Sequence, residues 1–280
     1  PGLNGSKRIA AWRQQIADWK AERPLGYEKT RDGRYKLAQL VRANRASDVV
    51  GRAYQLPCIS GKDSMKNDVT LDGRKISVPP TLLYSLLGNH HDVRKAVSSD
   101  LKQVGDAIYL LGETHQELGA SEFAFMLRDE TGGGIGGEVP QIDTTRNLAL
   151  YKSLTAAMRA GLVASAHDCS DGGLATALAE SCFGADAGCS ADLTLITVGG
   201  EHPDKWGLLF GVSLGRILVS VTPANAVTFE EAMAGHACHR IGEVELGDSI
   251  TFRSGGEEIL SASMSALRAA WKATLDGGGP

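Results

Sequence analysis

Between residues 162 and 182 the chain passes from an apolar run, through Ala166-His167-Asp168-Cys169-Ser170-Asp171-Gly172-Gly173-Leu174, into a helical pattern. That order dictates a strand, a tight turn and a helix in succession, the basic unit of a layered strand-and-helix fold. Paired glycines at a helix start let backbone N–H groups come close to an anion, and the helix dipole favours negative charge there. Asp168 and Asp171, three residues apart, can share a hard cation such as Mg²⁺ or its water shell. Ser170 can donate to a phosphate. The same residues also suit ordinary duty, with Ser170 or Asp171 capping the helix and the glycines making the turn.

The pattern recurs along the chain. Residues 6–23 read as an amphipathic helix ended by Pro24 and Gly26, and a second helix is expected over 35–55. Residues 56–59 read as a short buried strand and 81–87 as another, with a hairpin between them turning at Asp72-Gly73. After about residue 91 the pattern resets. Strands are expected at 107–111 and near 163–166, 190–196, 216–221 and 238–245. Helices are expected from a Ser121 cap to residue 128, and at 144–161, 172–182, 223–234 and 262–275. Strands and helices mix without a strict βαβ rhythm, so the fold class expected is α+β.

A second constellation follows the apolar run at 56–59. Gly61, Lys62, Asp63, Ser64 and Lys66 crowd a glycine, two ammonium groups, a carboxylate and a hydroxyl into six positions. Such a loop can offer N–H groups, cationic side chains and a Mg²⁺-capable carboxylate to one phosphorylated ligand. A solvated turn leading into a hairpin would use the same residue types. The glycine-rich stretch 131–137 lacks the strand-before, helix-after context of a dinucleotide fingerprint and reads as a surface loop.

Composition narrows the function classes. Of the 280 residues, 42% are apolar, enough for a substantial core, and the net charge of −4 gives no electrostatic footprint for nucleic acid or an anionic membrane. No apolar run reaches the roughly 20 residues that span a bilayer. The five cysteines are scattered without a CxxC pair, as expected of reduced thiols in a cytoplasmic protein. Cys169 has no general base placed for it, and His167 reads as structural rather than as half of a catalytic pair.

Residues 35–44 (Tyr-Lys-Leu-Ala-Gln-Leu-Val-Arg-Ala-Asn) and 59–68 (Ile-Ser-Gly-Lys-Asp-Ser-Met-Lys-Asn-Asp) closely resemble phosphoribosylformylglycinamidine synthase. Pro79-Pro80-Thr-Leu-Leu, Asp92-Val-Arg-Lys-Ala-Val, Gly105-Asp-Ala-Ile-Tyr-Leu-Leu-Gly and His167-Asp-Cys-Ser-Asp-Gly-Gly-Leu extend the likeness in order over residues 27–275. The wider superfamily includes aminoimidazole ribonucleotide synthetase, selenophosphate synthetase, thiamine-monophosphate kinase and a hydrogenase-maturation protein. The resemblance implies an aminoimidazole-ribonucleotide-synthetase-like fold: a partial N-terminal ATP-binding domain over 27–91, a complete C-terminal α/β domain over 92–280, and a helix of unknown role over 1–26. It implies an ATP-dependent C–N ligase of purine biosynthesis, converting formylglycinamide ribonucleotide and ammonia to formylglycinamidine ribonucleotide by phosphoryl activation of the amide oxygen. It also implies ATP and Mg²⁺ as cofactors. Gly61 would lie at nucleotide, Lys62 near the metal–phosphate region and Ser64 at substrate. Asp168 would bind Mg²⁺ and Ser170 would touch nucleotide.

The likeness is to the end of the synthetase's second half. The first half, with its catalytic histidine, and the glutaminase have no counterpart in these residues. Val212 stands where related sequences usually carry an acidic residue. The chain alone is therefore expected to be inactive and to assemble with the remainder of the synthase and a glutaminase, as a homo- or hetero-oligomer such as a dimer. Half a domain leaves apolar surface to cover. The alternatives are a non-catalytic scaffold domain of such an assembly, or another ATP-using member of the superfamily.

Overall fold

A computed structural model describes residues 29–61, 68–77, 81–90, 92–127, 136–185, 187–197 and 202–273. They fall into two compact units that divide between His91 and Asp92.

In the unit before Asp92, helix α1 (Lys29–Tyr54) carries an Arg52–Asp48 pair one turn apart. Strands β1 (Asp68–Leu71) and β2 (Arg74–Ser77) form a hairpin. Its turn residues Asp72 and Gly73 both have positive φ, 49° and 74°, the geometry a two-residue hairpin demands. The strands expected at 56–59 and 81–87 do not form: both stretches are irregular. Their apolar side chains lie in the open, with Ile59 81% exposed and Leu83 and Leu87 each 91% exposed. A strand needs a hydrogen-bonded neighbour, and the one ladder among the described residues of this unit is taken up by β1 and β2.

The unit from Asp92 onward is built on a seven-stranded mixed sheet. Its strands are β3 (Ala107–Leu111), β4 (Ser165–Asp168), β5 (Gly188–Asp192), β6 (Ile217–Val221), β7 (Cys238–Glu245), β8 (Ser249–Ser254) and β9 (Glu257–Ser263). Their order is β4-β6-β3-β7-β5-β8-β9, antiparallel throughout except for the parallel pair β5–β8. Helices α2 (Glu122–Met126), α3 (Thr144–Arg159), α4 (Gly173–Phe183), α5 (Lys205–Phe210), α6 (Ala226–Ala232) and α7 (Met264–Ala273) complete it. The fold is α+β. Ser121 caps α2, its side chain accepting from the Ala124 amide.

Period-two alternation in β3 explains the layering. Ile108 and Leu110 point into one core with Leu174 and Leu178 of α4, Leu208 and Leu209 of α5, and Met264 of α7. Ala107, Tyr109 and Leu111 point into the other, with Leu150 and Leu154 of α3 and Phe229 of α6. All five β3 residues are buried, as a central strand covered on both faces requires. Strands β8 and β9 and helix α5 were not anticipated from the sequence. None of the described helices is long and apolar enough to cross a membrane.

Tyr109 is the one phenol in this sheet centre. Its hydroxyl donates to Glu230 Oε1 at 2.7 Å, and its ring packs on Phe229 at 5.1 Å. Burial, then the Glu230 hydrogen bond, raises its pKa above the ordinary phenol value. A raised folded-state pKa means a contribution fully present below the unfolded pKa of about 10 and lost as pH climbs through the folded one. Tyr109→Phe is expected to cost about 1 kcal/mol near neutrality. Urea melts between pH 8 and 11 should show a weaker alkaline loss of stability in the variant.

Candidate active-site turn

β4 ends at Asp168, and the chain turns through Cys169, Ser170 and Asp171 into α4. The turn is fastened from behind. The Cys169 amide donates to the Arg216 carbonyl at 3.0 Å, and the Gly173 amide donates to the Ser170 carbonyl at 3.0 Å. Gly172 and Gly173 both adopt left-handed backbone, with φ 82° and 66°. A Cβ on Gly173 would lie 2.7 Å from the Gly211 carbonyl oxygen and 2.8 Å from the Leu209 carbonyl oxygen; one on Gly172 would collide with the Thr176 side chain. Glycine is thus required twice, by conformation and by space.

Neither Ser170 nor Asp171 caps α4. The N-cap is Gly172, which makes no side-chain cap hydrogen bond. An eleven-residue helix therefore begins at this turn without a carboxylate or hydroxyl on its first amides. The Asp168 side chain is 72% exposed beside it. Ser170 donates its hydroxyl to Asp168 Oδ2, so in this state serine and carboxylate are joined to each other. His167 is structural in its contacts: Nδ1 lies 2.7 Å from the Asp168 carbonyl oxygen and Nε2 3.1 Å from Glu180 Oε2, tying β4 to α4. The Cys169 thiol is buried, and burial pushes its pKa up to about 11, which suppresses the thiolate a nucleophile needs.

Behind the turn is a group that residue patterning did not single out. Arg216 is 1% exposed. Its Nη2 donates to the Gly211 carbonyl, the oxygen that fills the space beside Gly173, and its Nη1 to Thr114 Oγ1 at 3.3 Å. Burial lowers its pKa, while Cys169 and Glu117 oppose that shift. Glu117 is also buried, and its Oε1 accepts from the Gln141 amide at 2.8 Å. An arginine set directly before the apolar run Ile217-Leu218-Val219 was the available sequence signal. The Val212 side chain brings no charge here; its amide donates to the Glu117 carbonyl at 2.9 Å.

The other constellation is in the unit before Asp92. Gly61 is exposed with no atom within 4 Å of where a Cβ would sit. Lys62, Asp63, Ser64 and Lys66 lie outside the described residues, as do the helix expected over 6–23 and most of the 131–137 stretch. Asp168, Ser170, Asp171, Gly172 and Gly173 do come together, in the one turn. Among the described residues no three His, Cys, Asp or Glu side chains converge as a metal site. The exposed Asp168 carboxylate nonetheless fits Mg²⁺ that arrives with a polyphosphate, since that ion takes one or two carboxylates and completes its shell with phosphate oxygens and water.

A mixed sheet of this order, with a double-glycine turn leading into a buried helix, defines an α+β domain with an aminoimidazole-ribonucleotide-synthetase-like fold. Residues 103–254 match the family described as AIR synthase related protein, C-terminal domain, and the chain belongs to that family. Thermotoga maritima PurL complexed with FGAR is similar at 18% identity, covering 62% of this chain and 30% of that one, with a TM-score of 0.55. Phosphoribosylformylglycinamidine synthase II from the same organism gives 17% identity, 62% and 28% coverage and a TM-score of 0.52. PurL complexed with ATP gives 18%, 62%, 27% and 0.50. This chain spans less than a third of the length of those proteins.

Proposed function

We infer that this chain is the C-terminal part of a phosphoribosylformylglycinamidine synthase, with 27–91 as a partial N-terminal-type domain and 92–280 as the C-terminal-type domain. The observation that carries the reading is the Asp168–Gly173 turn: two left-handed glycines, a helix start free of side-chain caps and an exposed carboxylate, in the residue order that resembles the synthase. Bound Mg-ATP supplies the phosphoryl group that activates the amide oxygen of formylglycinamide ribonucleotide. The chain's own part is to hold charge. With Mg-ATP bound, the first turn of α4 would hold a phosphate, Ser170 would donate to a phosphate oxygen, and Asp168 would hold the cation. Asp171 would share that cation or its water shell. In the same reading Gly61, Lys62, Asp63, Ser64 and Lys66 are residues for phosphate and substrate, as the likeness of 59–68 to the synthase implies. Positioning and charge neutralisation of this kind account for most of the catalysis in phosphoryl transfer.

Turnover requires the remainder of the synthase, with a glutaminase as ammonia source. The exposed Leu83, Leu86 and Leu87 support that assembly, since a run of leucines in water is a surface waiting for a cover. A non-catalytic scaffold is the second reading, favoured by the bond that joins Ser170 to Asp168 instead of leaving both free for a ligand.

A thermal-shift panel separates these readings. Ligands that bind the folded state raise its stability by mass action, about 2.7 kcal/mol at a hundred times Kd. Mg-ADP and formylglycinamide ribonucleotide should each raise the midpoint, whereas aminoimidazole ribonucleotide should not. Shifts with Mg-ADP and aminoimidazole ribonucleotide but not with formylglycinamide ribonucleotide would point to another superfamily member, and a flat panel to the scaffold.

A further inference from the structure

Cys182, in the last turn of α4, and Cys189, in β5, bring their sulfurs to 3.4 Å of each other inside the core. They are 0% and 1% exposed, and the chain between the two elements is only residues 184–187. We propose that Cys182 and Cys189 are a peroxide-oxidisable dithiol that closes to an intrachain disulfide, a modification site separate from the nucleotide turn at the other end of α4.

Three features make the pair more than two core thiols. Packing already supplies the approach: the sulfurs must close from van der Waals contact to a bond of about 2.0 Å, and the short connection with Gly184 at its start limits the movement needed. The electrostatics favour one of the two. Either thiol can donate to the other and burial opposes ionisation of both, while the Arg268 guanidinium of α7 favours the Cys182 thiolate. Burial selects the oxidant, since both sulfurs belong to the core cluster with Leu101, Leu178 and Ile250. A small peroxide reaches such a site on a local opening far more readily than a bulky disulfide.

The chemistry balances in two steps. The Cys182 thiolate attacks one oxygen of hydrogen peroxide and the O–O bond breaks. Hydroxide leaves, takes up a proton to become water, and Cys182 is left as sulfenic acid. Cys189 then gives up its proton and attacks the Cys182 sulfur; the S–OH bond breaks and a second water leaves. Two thiols are oxidised by one peroxide, which is reduced to two waters. Sulfenic acid next to a waiting thiol goes on to disulfide rather than to sulfinic acid.

The test uses the full chain carrying Cys58→Ser, which removes the exposed thiol that could cross-link molecules. After reduction, removal of reductant and exposure to hydrogen peroxide, the thiol titre under denaturing conditions should fall from four to two (five cysteines in the sequence, less Cys58). Non-reducing peptide mapping should show Cys182 joined to Cys189, and phosphine should restore the titre to four. A titre still at four, a bond involving Cys169 or Cys238, or Cys182 recovered as sulfinic acid beside a free Cys189 would each overturn the proposal.

Discussion

Gly173→Ala is expected to destabilise the unit from Asp92 onward by about 2–4 kcal/mol and to remove nucleotide binding, because left-handed strain and steric overlap add. The added methyl meets the carbonyl oxygens of Leu209 and Gly211 and the Phe210 carbonyl carbon, all backbone, so no side chain can swing away. Gly161 is the internal control. It has a similar φ of 75° but nothing within 4 Å of its Cβ position, so Gly161→Ala carries the conformational term alone, about 1–2 kcal/mol. Urea denaturation of both variants measures the difference. Equal midpoints would mean that the turn is not wedged against 209–211.

Arg216→Met should cost about 2–4 kcal/mol. Methionine fills much of the volume, so the loss comes chiefly from polar groups. The Gly211 carbonyl and Thr114 Oγ1 lose buried donors, and the Glu117 carboxyl loses a nearby positive charge. Removing the buried guanidinium recovers some desolvation energy, which keeps the figure below the sum of the parts. The Gly211 carbonyl that Arg216 holds is the one against Gly173, so ligand affinity should fall as well as stability. Arg216→Lys should not rescue, since one ammonium cannot reproduce a planar fork reaching two acceptors. Denaturant midpoints equal to wild type would refute the role.

Local pattern made much of the second unit readable. The Ala107–Leu111 strand stands out as a continuous apolar run, and the Thr144–Arg159 helix by the spacing of Leu148, Tyr151, Leu154 and Met158, although the residues it buries fully are Asn147, Leu150, Leu154 and Ala157. Ser249–Ser254 and Glu257–Ser263 were missed although Ile250 and Phe252 alternate and Gly255-Gly256 separate the strands, because Ser, Thr, Arg and Glu dilute the signal. Helix Lys205–Phe210 is too short for period analysis; its Asp204 cap, accepting from the Trp206 and Gly207 amides, was the one mark it left. Apolarity misled at 56–59 and 81–87, where continuous runs promise burial only if something covers them. At the site, the glycines and Asp168 could be read locally. The burial of Arg216 could not, since its acceptor on Thr114 is 102 positions away in sequence.

The central claim is that the turn at 168–173 takes up magnesium-bound polyphosphate, and titration calorimetry of the 280-residue chain with Mg-ADP tests it most directly. Wild type is expected to give a saturable heat that disappears without Mg²⁺, and Asp168→Ala should weaken it by at least tenfold, about 1.4 kcal/mol, with an unchanged denaturation midpoint because that carboxylate is exposed. Absence of heat at millimolar ligand, or equal affinity in Asp168→Ala, would contradict the account.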